Sequence, residues 1–181
     1  MVSILGACAL LVTGGCAGPK AMSNHQSQSR AWHPLPSVAS VSIRPSSEGG
    51  SGEMAQSTAL RQTLAAKLVA SGVFRTVDVG GGAEYDPILV IDVTRVTRAG
   101  WGNRAFAVGA RSSVRAEGKL ISSNQSVIAT ISEMRSAQGG IVGAGGWITC
   151  GEESMITALR NWVAEDICDS LKEQSRSGGA K

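Results

Sequence analysis

The sequence predicts one α+β domain over residues 38–174, and three observations support this. Two segments, residues 53–70 and 152–174, place apolar side chains on one side at the spacing of a helix. Other segments are rich in β-branched residues, as strands are. Two of these are separated by a short polar turn, which indicates an antiparallel hairpin. The predicted order is therefore strand, helix, several strands, helix.

The first half of the domain is predicted to contain one helix among three strands. The helix carries a stripe of Leu60, Leu64 and Leu68, and Gly72 is its expected end. Pro45 ends the first strand, and Pro87 precedes the third. The third strand is long and strongly apolar, which favours a central place in the sheet. The three strands are predicted at residues 38–43, 74–79 and 88–96.

The second half is predicted to contain a hairpin and a helix. Apolar or small residues alternate with charged ones over residues 114–120, which is typical of a strand with one solvated face. A polar turn at residues 122–125 leads into a second strand at 127–131. The C-terminal helix has one apolar face with Trp162 beside it, formed by Ile156, Leu159, Val163 and Ile167.

The N-terminal segment, residues 1–15, is predicted to be a signal peptide. An apolar run from Val2 to Thr13 is followed by two glycines and Cys16. The run is too short to span a bilayer core of ~30 Å at ~1.5 Å per residue. It resembles the signal of bacterial lipoproteins, which implies that Cys16 is acylated and becomes the mature N-terminus. Cys8 is the alternative, since Leu5-Gly-Ala-Cys8 fits the lipoprotein box better but leaves little chain before it.

Two further expectations follow from this segment. No Lys or Arg precedes the apolar run, and a start codon upstream of Met1 would explain this. Ala17 follows Cys16, and in lipoproteins of diderm bacteria the absence of Asp at this position implies the outer membrane, with the domain facing the periplasm. The expected partner of the N-terminus is thus the membrane, through a palmitate-type lipid anchor.

The residues that flank the domain are predicted to be unstructured. Residues 16–37 are rich in Ser, Gln, Asn and Pro and show no hydrophobic period, which predicts a flexible tether. Residues 175–181 are predicted to be a disordered tail.

The sequence offers no recognisable catalytic, metal or cofactor motif. Its two histidines, His25 and His33, both lie in the predicted tether, so no histidine base or histidine metal cluster is expected in the domain. The glycine-rich segment 139–146 lacks the phosphate-loop pattern. A net charge of +3 is too weak to indicate nucleic acid binding. We therefore expect neither enzymatic activity nor a cofactor.

Cys150 and Cys168 are not expected to form a bridge within the chain. If Cys150 precedes the C-terminal helix, ~1.5 Å of rise per residue puts the two Cα atoms ~25 Å apart, far beyond the ~7 Å limit for a disulfide. Cys168 is expected to lie off the apolar face of this helix.

One loop concentrates the side chains that anchor protein interfaces. Arg98, Trp101, Arg104 and Phe106 lie among glycines in a chain that is only 4% aromatic. Aromatic and arginine side chains are enriched at such interfaces, which makes this loop the candidate partner-binding element. The alternative is that Trp101 and Phe106 cover an open end of the core.

The helix that ends at Gly72, followed by Phe74 and Val77 and then by the apolar strand after Asp86, resembles a family of small bacterial lipoproteins of unknown function. The spacing of Gly100 and Arg104 ahead of the hairpin and C-terminal helix resembles the same family. The helix, glycine, phenylalanine and strand are also similar to periplasmic domains of the curli-secretion lipoprotein and of lipoprotein activators of cell-wall synthases. These resemblances imply a mixed sheet of about five strands with two helices packed on one face. They also imply binding of proteins without catalysis, and they carry over no functional residue.

These observations together favour a lipid-anchored, non-catalytic module for binding or assembly in the bacterial envelope, with a protein partner there. The alternative is a carrier or sensor of a small amphiphilic ligand held between helix and sheet. The sequence leaves the oligomeric state open.

Overall fold

The computed structural model describes residues 23–31, 40–45, 53–80, 85–99, 111–138 and 152–178. They form a mixed sheet of seven strands and two helices, which confirms the predicted α+β class. In chain order the elements are β1 (Asn24–Ser27), β2 (Arg30–Ala31), β3 (Ser40–Arg44), α1 (Met54–Ser71), β4 (Thr76–Val79), β5 (Ile88–Thr97), β6 (Arg111–Ile121), β7 (Val127–Gln138) and α2 (Glu152–Gly178).

The sheet has a parallel half and an antiparallel half. Its strand order is β1-β7-β6-β5-β3-β4, and β2 also pairs with β7. β3 is parallel to both β4 and β5, so α1 forms the crossover from β3 to β4. β5, β6 and β7 follow one another as antiparallel neighbours. The apolar strand β5 lies inside the sheet, between β3 and β6, as its composition predicted.

Both helices pack on the same side of the sheet and against each other, as expected. The predicted stripe of Leu60, Leu64 and Leu68 is fully buried. The predicted face of α2 is also fully buried, at Ile156, Leu159, Val163 and Ile167, and Trp162 packs against the core from its edge. Leu89 and Ile91 of β5 and Leu120 of β6 complete the sheet side of this core.

Two glycines have a structural role that another residue would not fill easily. Gly72 ends α1 in the left-handed conformation, with φ of 71°, and its N–H donates to the Val69 carbonyl oxygen at 3.1 Å. Gly118 on β6 lies so close to β5 that a Cβ would stand 2.9 Å from the Cβ of Ile91 and would clash with the Val90 carbonyl oxygen.

The N-terminal segment differs from the prediction. The part of the expected tether that the structure describes, residues 23–31, is not free chain: Asn24–Ser27 and Arg30–Ala31 pair antiparallel with β7. These two short strands raise the strand count from about five to seven. Polar composition misled the prediction because both strands lie at the edge of the sheet, with their side chains mostly exposed.

Three smaller differences concern strand and helix ends. β7 continues to Gln138 instead of stopping at residue 131, since Glu133 and Arg135 interrupt the apolar alternation without ending the strand. α2 continues to Gly178, so residues 175–178 of the predicted tail are helical. Cys168 was expected off the core face and is instead 5% exposed within the core, as a free thiol. Cys150 lies outside the described residues.

Candidate functional site

Most of the site residues predicted from the sequence fall outside the described part of the chain. These are the lipidation candidates Cys16 and Cys8, and Trp101, Arg104 and Phe106 of the predicted partner-binding loop. Their assignments stay predictions. Arg98 is described, and it lies just after β5, where the loop begins.

Arg98 joins the beginnings of the two helices. Its Nη1 donates to Glu53, the residue before α1, at 3.2 Å, and its Nε lies 3.8 Å from Glu152 and 3.7 Å from Glu153 in the first turn of α2. The hydrogen bond to Glu53 and the three carboxylates together raise the pKa of Arg98. The guanidinium is about one third exposed, so solvent weakens these pairs. Arg98 thus fixes the end of β5 beside both helix N-termini.

The most unusual feature of the described interior is a carboxylate with no exposed surface. Glu133 lies on the helix-facing side of β7, and its side chain is 0% exposed. Three serine hydroxyls donate to its Oε1: Ser27 and Ser29 at 2.7 Å each, and Ser170 of α2 at 2.9 Å. His25 Nε2 lies 2.8 Å from Oε2. Hydrogen bonds from four side chains compensate the cost of burying this charge.

A buried ion pair lies directly beside this carboxylate. Arg135, two residues along the same face of β7, binds Asp166 of α2 through Nε at 2.5 Å and Nη2 at 2.8 Å. Its Nη1 also donates to the Ser23 hydroxyl at 3.0 Å. His25 approaches Asp166 to 3.6 Å, so it lies between the two carboxylates. We call the set of Ser23, His25, Ser27, Ser29, Glu133, Arg135, Asp166 and Ser170 the polar cluster.

The polar cluster joins the N-terminal segment, β7 and α2. Residues 23–29 reach β7 through side chains as well as through the strand ladder, and α2 contributes an acid and a hydroxyl. A serine–histidine–acid triad would need an imidazole between hydroxyl and carboxylate. Here the serine hydroxyls bind the carboxylate directly, as does His25. The N-terminal segment thus supplies hydrogen-bond partners to Glu133 and Arg135, whose charges are buried.

Sequence reasoning missed the polar cluster, although β7 carried a signal for it. Glu133 and Arg135 continue the inward alternation of Ala129 and Ile131, so their charges had to lie on the buried face. Buried charges require partners. Residues 23–29 supply most of these partners, as serine hydroxyls and one imidazole. Their polar composition had instead indicated a flexible tether.

A second buried ion pair lies beside the part of β5 that extends beyond the end of β3. Arg61 of α1 binds the carboxylate of Asp92 and donates to the Ile91 carbonyl oxygen at 3.3 Å. The Ser57 hydroxyl accepts from the Val93 N–H at 2.9 Å. These side chains satisfy backbone groups that the short strand β3 leaves without a strand partner.

The sheet face opposite the helices, here called the open face, is strongly basic. The register of the strands places six basic and three acidic residues on it, namely Arg30, Arg44, Arg95, Arg111, Arg115 and Lys119 with Asp78, Asp92 and Glu117. Asp92 is buried and bound to Arg61, and Glu117 pairs with Arg115 at 2.8 Å. Arg95, Arg111 and Lys119 are exposed.

Within the described residues, no group of three or more His, Cys, Asp and Glu side chains is arranged to hold a metal ion. In the same part of the chain, neither helix is long and apolar enough to cross a membrane. No protein-family model matches this chain, and no curated protein is significantly similar to it in sequence.

Several solved structures are similar to this one at low identity. Two are PelC dodecamers from Paraburkholderia phytofirmans, one of them a variant. The variant is 17% identical with a TM-score of 0.47, covering 77% of this chain and 94% of its own. The other is 20% identical with a TM-score of 0.43, covering 78% and 94%. A minor lipoprotein from Acinetobacter baumannii is 14% identical with a TM-score of 0.38, covering 75% and 91%.

One of these similar structures is thus named as a minor lipoprotein. TM-scores at this level do not carry functional inference. The finer resemblance to the curli-secretion lipoprotein and to activators of cell-wall synthases stays a prediction.

Proposed function

We propose that this protein is a lipid-anchored, non-catalytic module for binding or assembly, attached to the outer membrane and facing the periplasm. The observation that carries the proposal is the fastening of residues 23–31 to the sheet. The segment that lies seven residues after the predicted lipidation site is built into the fold by strand pairing and by the polar cluster. A lipid on Cys16 would then hold the folded domain itself, and not only a loose chain end.

The length of the link sets how closely the domain would lie to the bilayer. Seven peptide steps separate Cys16 from Ser23, which span at most ~25 Å when fully extended. As a flexible chain the same link has a mean end-to-end distance of ~15 Å. Three acyl chains on one cysteine anchor a protein stably, because each buried methylene contributes ~0.8 kcal/mol. The domain would be confined near the headgroups.

The described core favours this proposal over a carrier of small amphiphiles. Such a carrier needs a cavity between helices and sheet. In that position the described side chains form one continuous cluster, to which α1, α2 and the central strands all contribute fully buried residues. In the polar cluster, three hydroxyls and an imidazole are likewise committed to Glu133, whose side chain has no exposed surface.

Lipidation is tested by labelling cells that express the full chain with radioactive palmitate. The wild type should incorporate label, Cys16→Ser should lose it, and Cys8→Ser, the matched control, should keep it. Label that survives Cys16→Ser and disappears in Cys8→Ser would move the anchor upstream. Absence of label in the wild type, expressed from its verified start codon, would contradict the proposal.

The loop after Arg98 is the proposed partner-binding element, and Trp101 is its test position. A desolvated tryptophan at an interface commonly contributes ~2 kcal/mol or more to binding. Trp101→Ala should therefore abolish capture of the envelope protein that crosslinks to the wild type, while the melting temperature changes by only a few degrees. Trp32→Ala, the same change in the N-terminal segment, should leave capture intact. Unfolding by Trp101→Ala would instead identify Trp101 as a cap of the core.

A further inference from the structure

Basic residues are concentrated on one side of the described fold. The open face carries six basic and three acidic residues by strand register. On the other side of the sheet, α1 and α2 together carry six acidic and five basic residues. The chain as a whole has a net charge of only +3, so the basic character of the open face comes from placement more than from composition. The described fold therefore presents one basic side and one side with little net charge.

One pair of basic residues on the open face is expected to destabilise the sheet locally. Arg95 of β5 and Arg115 of β6 are direct partners across the ladder. Like charges in directly opposed positions destabilise a sheet. Arg115 is compensated by Glu117 at 2.8 Å and donates to the Ser132 hydroxyl at 3.2 Å. Arg95, by contrast, points its charge into solvent. A local arrangement that costs stability indicates a position shaped by function.

We propose that the open face docks on anionic phospholipid headgroups of the membrane that holds the anchor. This deepens the proposed function and rests on it, because the anchor is what brings the face close to the bilayer. Phosphate groups match guanidinium groups in charge and geometry. The helix layer, which has little net charge, would face away from the membrane, so the basic face sets the orientation.

The geometry allows the exposed cations of the open face, Arg95, Arg111 and Lys119, to approach the bilayer. The chain enters the fold at β1, on one edge of the sheet. Six strand positions at ~4.8 Å spacing make the face ~24 Å wide, similar to the ~25 Å reach of the link from Cys16 to Ser23. Electrostatic attraction to a membrane extends about one Debye length, ~8 Å at physiological salt, and the link from Cys16 allows the face to approach the bilayer within this range.

The test uses the full chain with Cys8→Ser and Cys16→Ser, so that no lipid can mask surface binding. It should co-sediment with vesicles of phosphatidylcholine and phosphatidylglycerol in equal parts, and not with phosphatidylcholine alone. Binding should weaken steeply with added salt. Because each cation near an anionic surface contributes about fivefold, Arg95→Gln with Lys119→Gln should lower the partition coefficient ~25-fold.

The matched control is Lys67→Gln with Lys172→Gln, which removes the same charge from the helix layer. It should reduce partitioning by no more than about twofold, since those cations lie on the far side. Arg95→Gln alone should bind vesicles less and yet melt no lower than the parent, because a like-charge pair is removed. A merely structural role for Arg95 would instead lower the melting temperature.

Two results would overturn the inference: equal loss of binding in both double variants, and binding that does not depend on phosphatidylglycerol. Loss of a crosslinked acidic protein in the Arg95→Gln and Lys119→Gln variant, with no vesicle binding by the parent, would assign the face to a protein and also overturn it. Palmitate labelling is unaffected by any of these results, so failure of the docking face and failure of the anchor are distinguishable.

Discussion

Arg135→Met should lower the free energy of unfolding by about 3–5 kcal/mol, the largest effect that we expect of a single substitution. Arg135 and Asp166 form a bidentate pair whose side chains are only 10% and 5% exposed. Removal of the guanidinium leaves the Asp166 carboxylate buried beside the Glu133 carboxylate, without its strongest partner. Denaturant unfolding followed by circular dichroism measures the loss.

The double variant Arg135→Met with Asp166→Leu is the matched control. Replacement of both members of a buried pair by apolar residues of similar size is often close to neutral. The double variant should therefore recover most of the stability that the single variant loses. A single variant within ~1 kcal/mol of wild type, or a double variant no better than the single one, would show that the pair is not the element that holds α2 to β7.

Leu159→Ala should cost ~2–5 kcal/mol as a truncation in a well-packed core. Leu159 is fully buried on the sheet-facing side of α2, within the same cluster as Ile156 and Val163. Thr157→Ala, at an exposed position two residues earlier, should change stability by less than ~0.5 kcal/mol. Equal effects of the two substitutions in denaturant unfolding would mean that the two faces of the helix are equivalent, contrary to the structure.

The parts of the fold that bury apolar side chains were predictable from sequence. The stripe of α1 and its stop at Gly72 agree with the structure, as do the face of α2 and the apolar strand β5. In each case one face must leave water, and the period of the apolar residues reveals that face. The mixed topology of the sheet came from resemblance and not from this periodicity.

The polar cluster could not be predicted in the same way. Its members are serines, a histidine and three charged residues, and their burial depends on partners that are about 100 residues apart in the chain, such as Ser27 and Glu133. Edge strands such as β1 and β2 have no apolar period, because their stability comes from ladder hydrogen bonds and polar contacts. The open face was hidden for a similar reason: its basic residues come from four strands, and only the register brings them together.

The central claim is that a lipid on Cys16 holds a domain whose N-terminal segment is part of its sheet. Intact-mass spectrometry of the protein extracted from membranes tests this claim most directly. We expect a chain that begins at Cys16 and exceeds the mass of its peptide by a diacylglyceryl group and one further acyl chain. A membrane-extracted chain with an unmodified cysteine at residue 16, or one that retains the residues before it without lipid, would show that Cys16 does not anchor the domain.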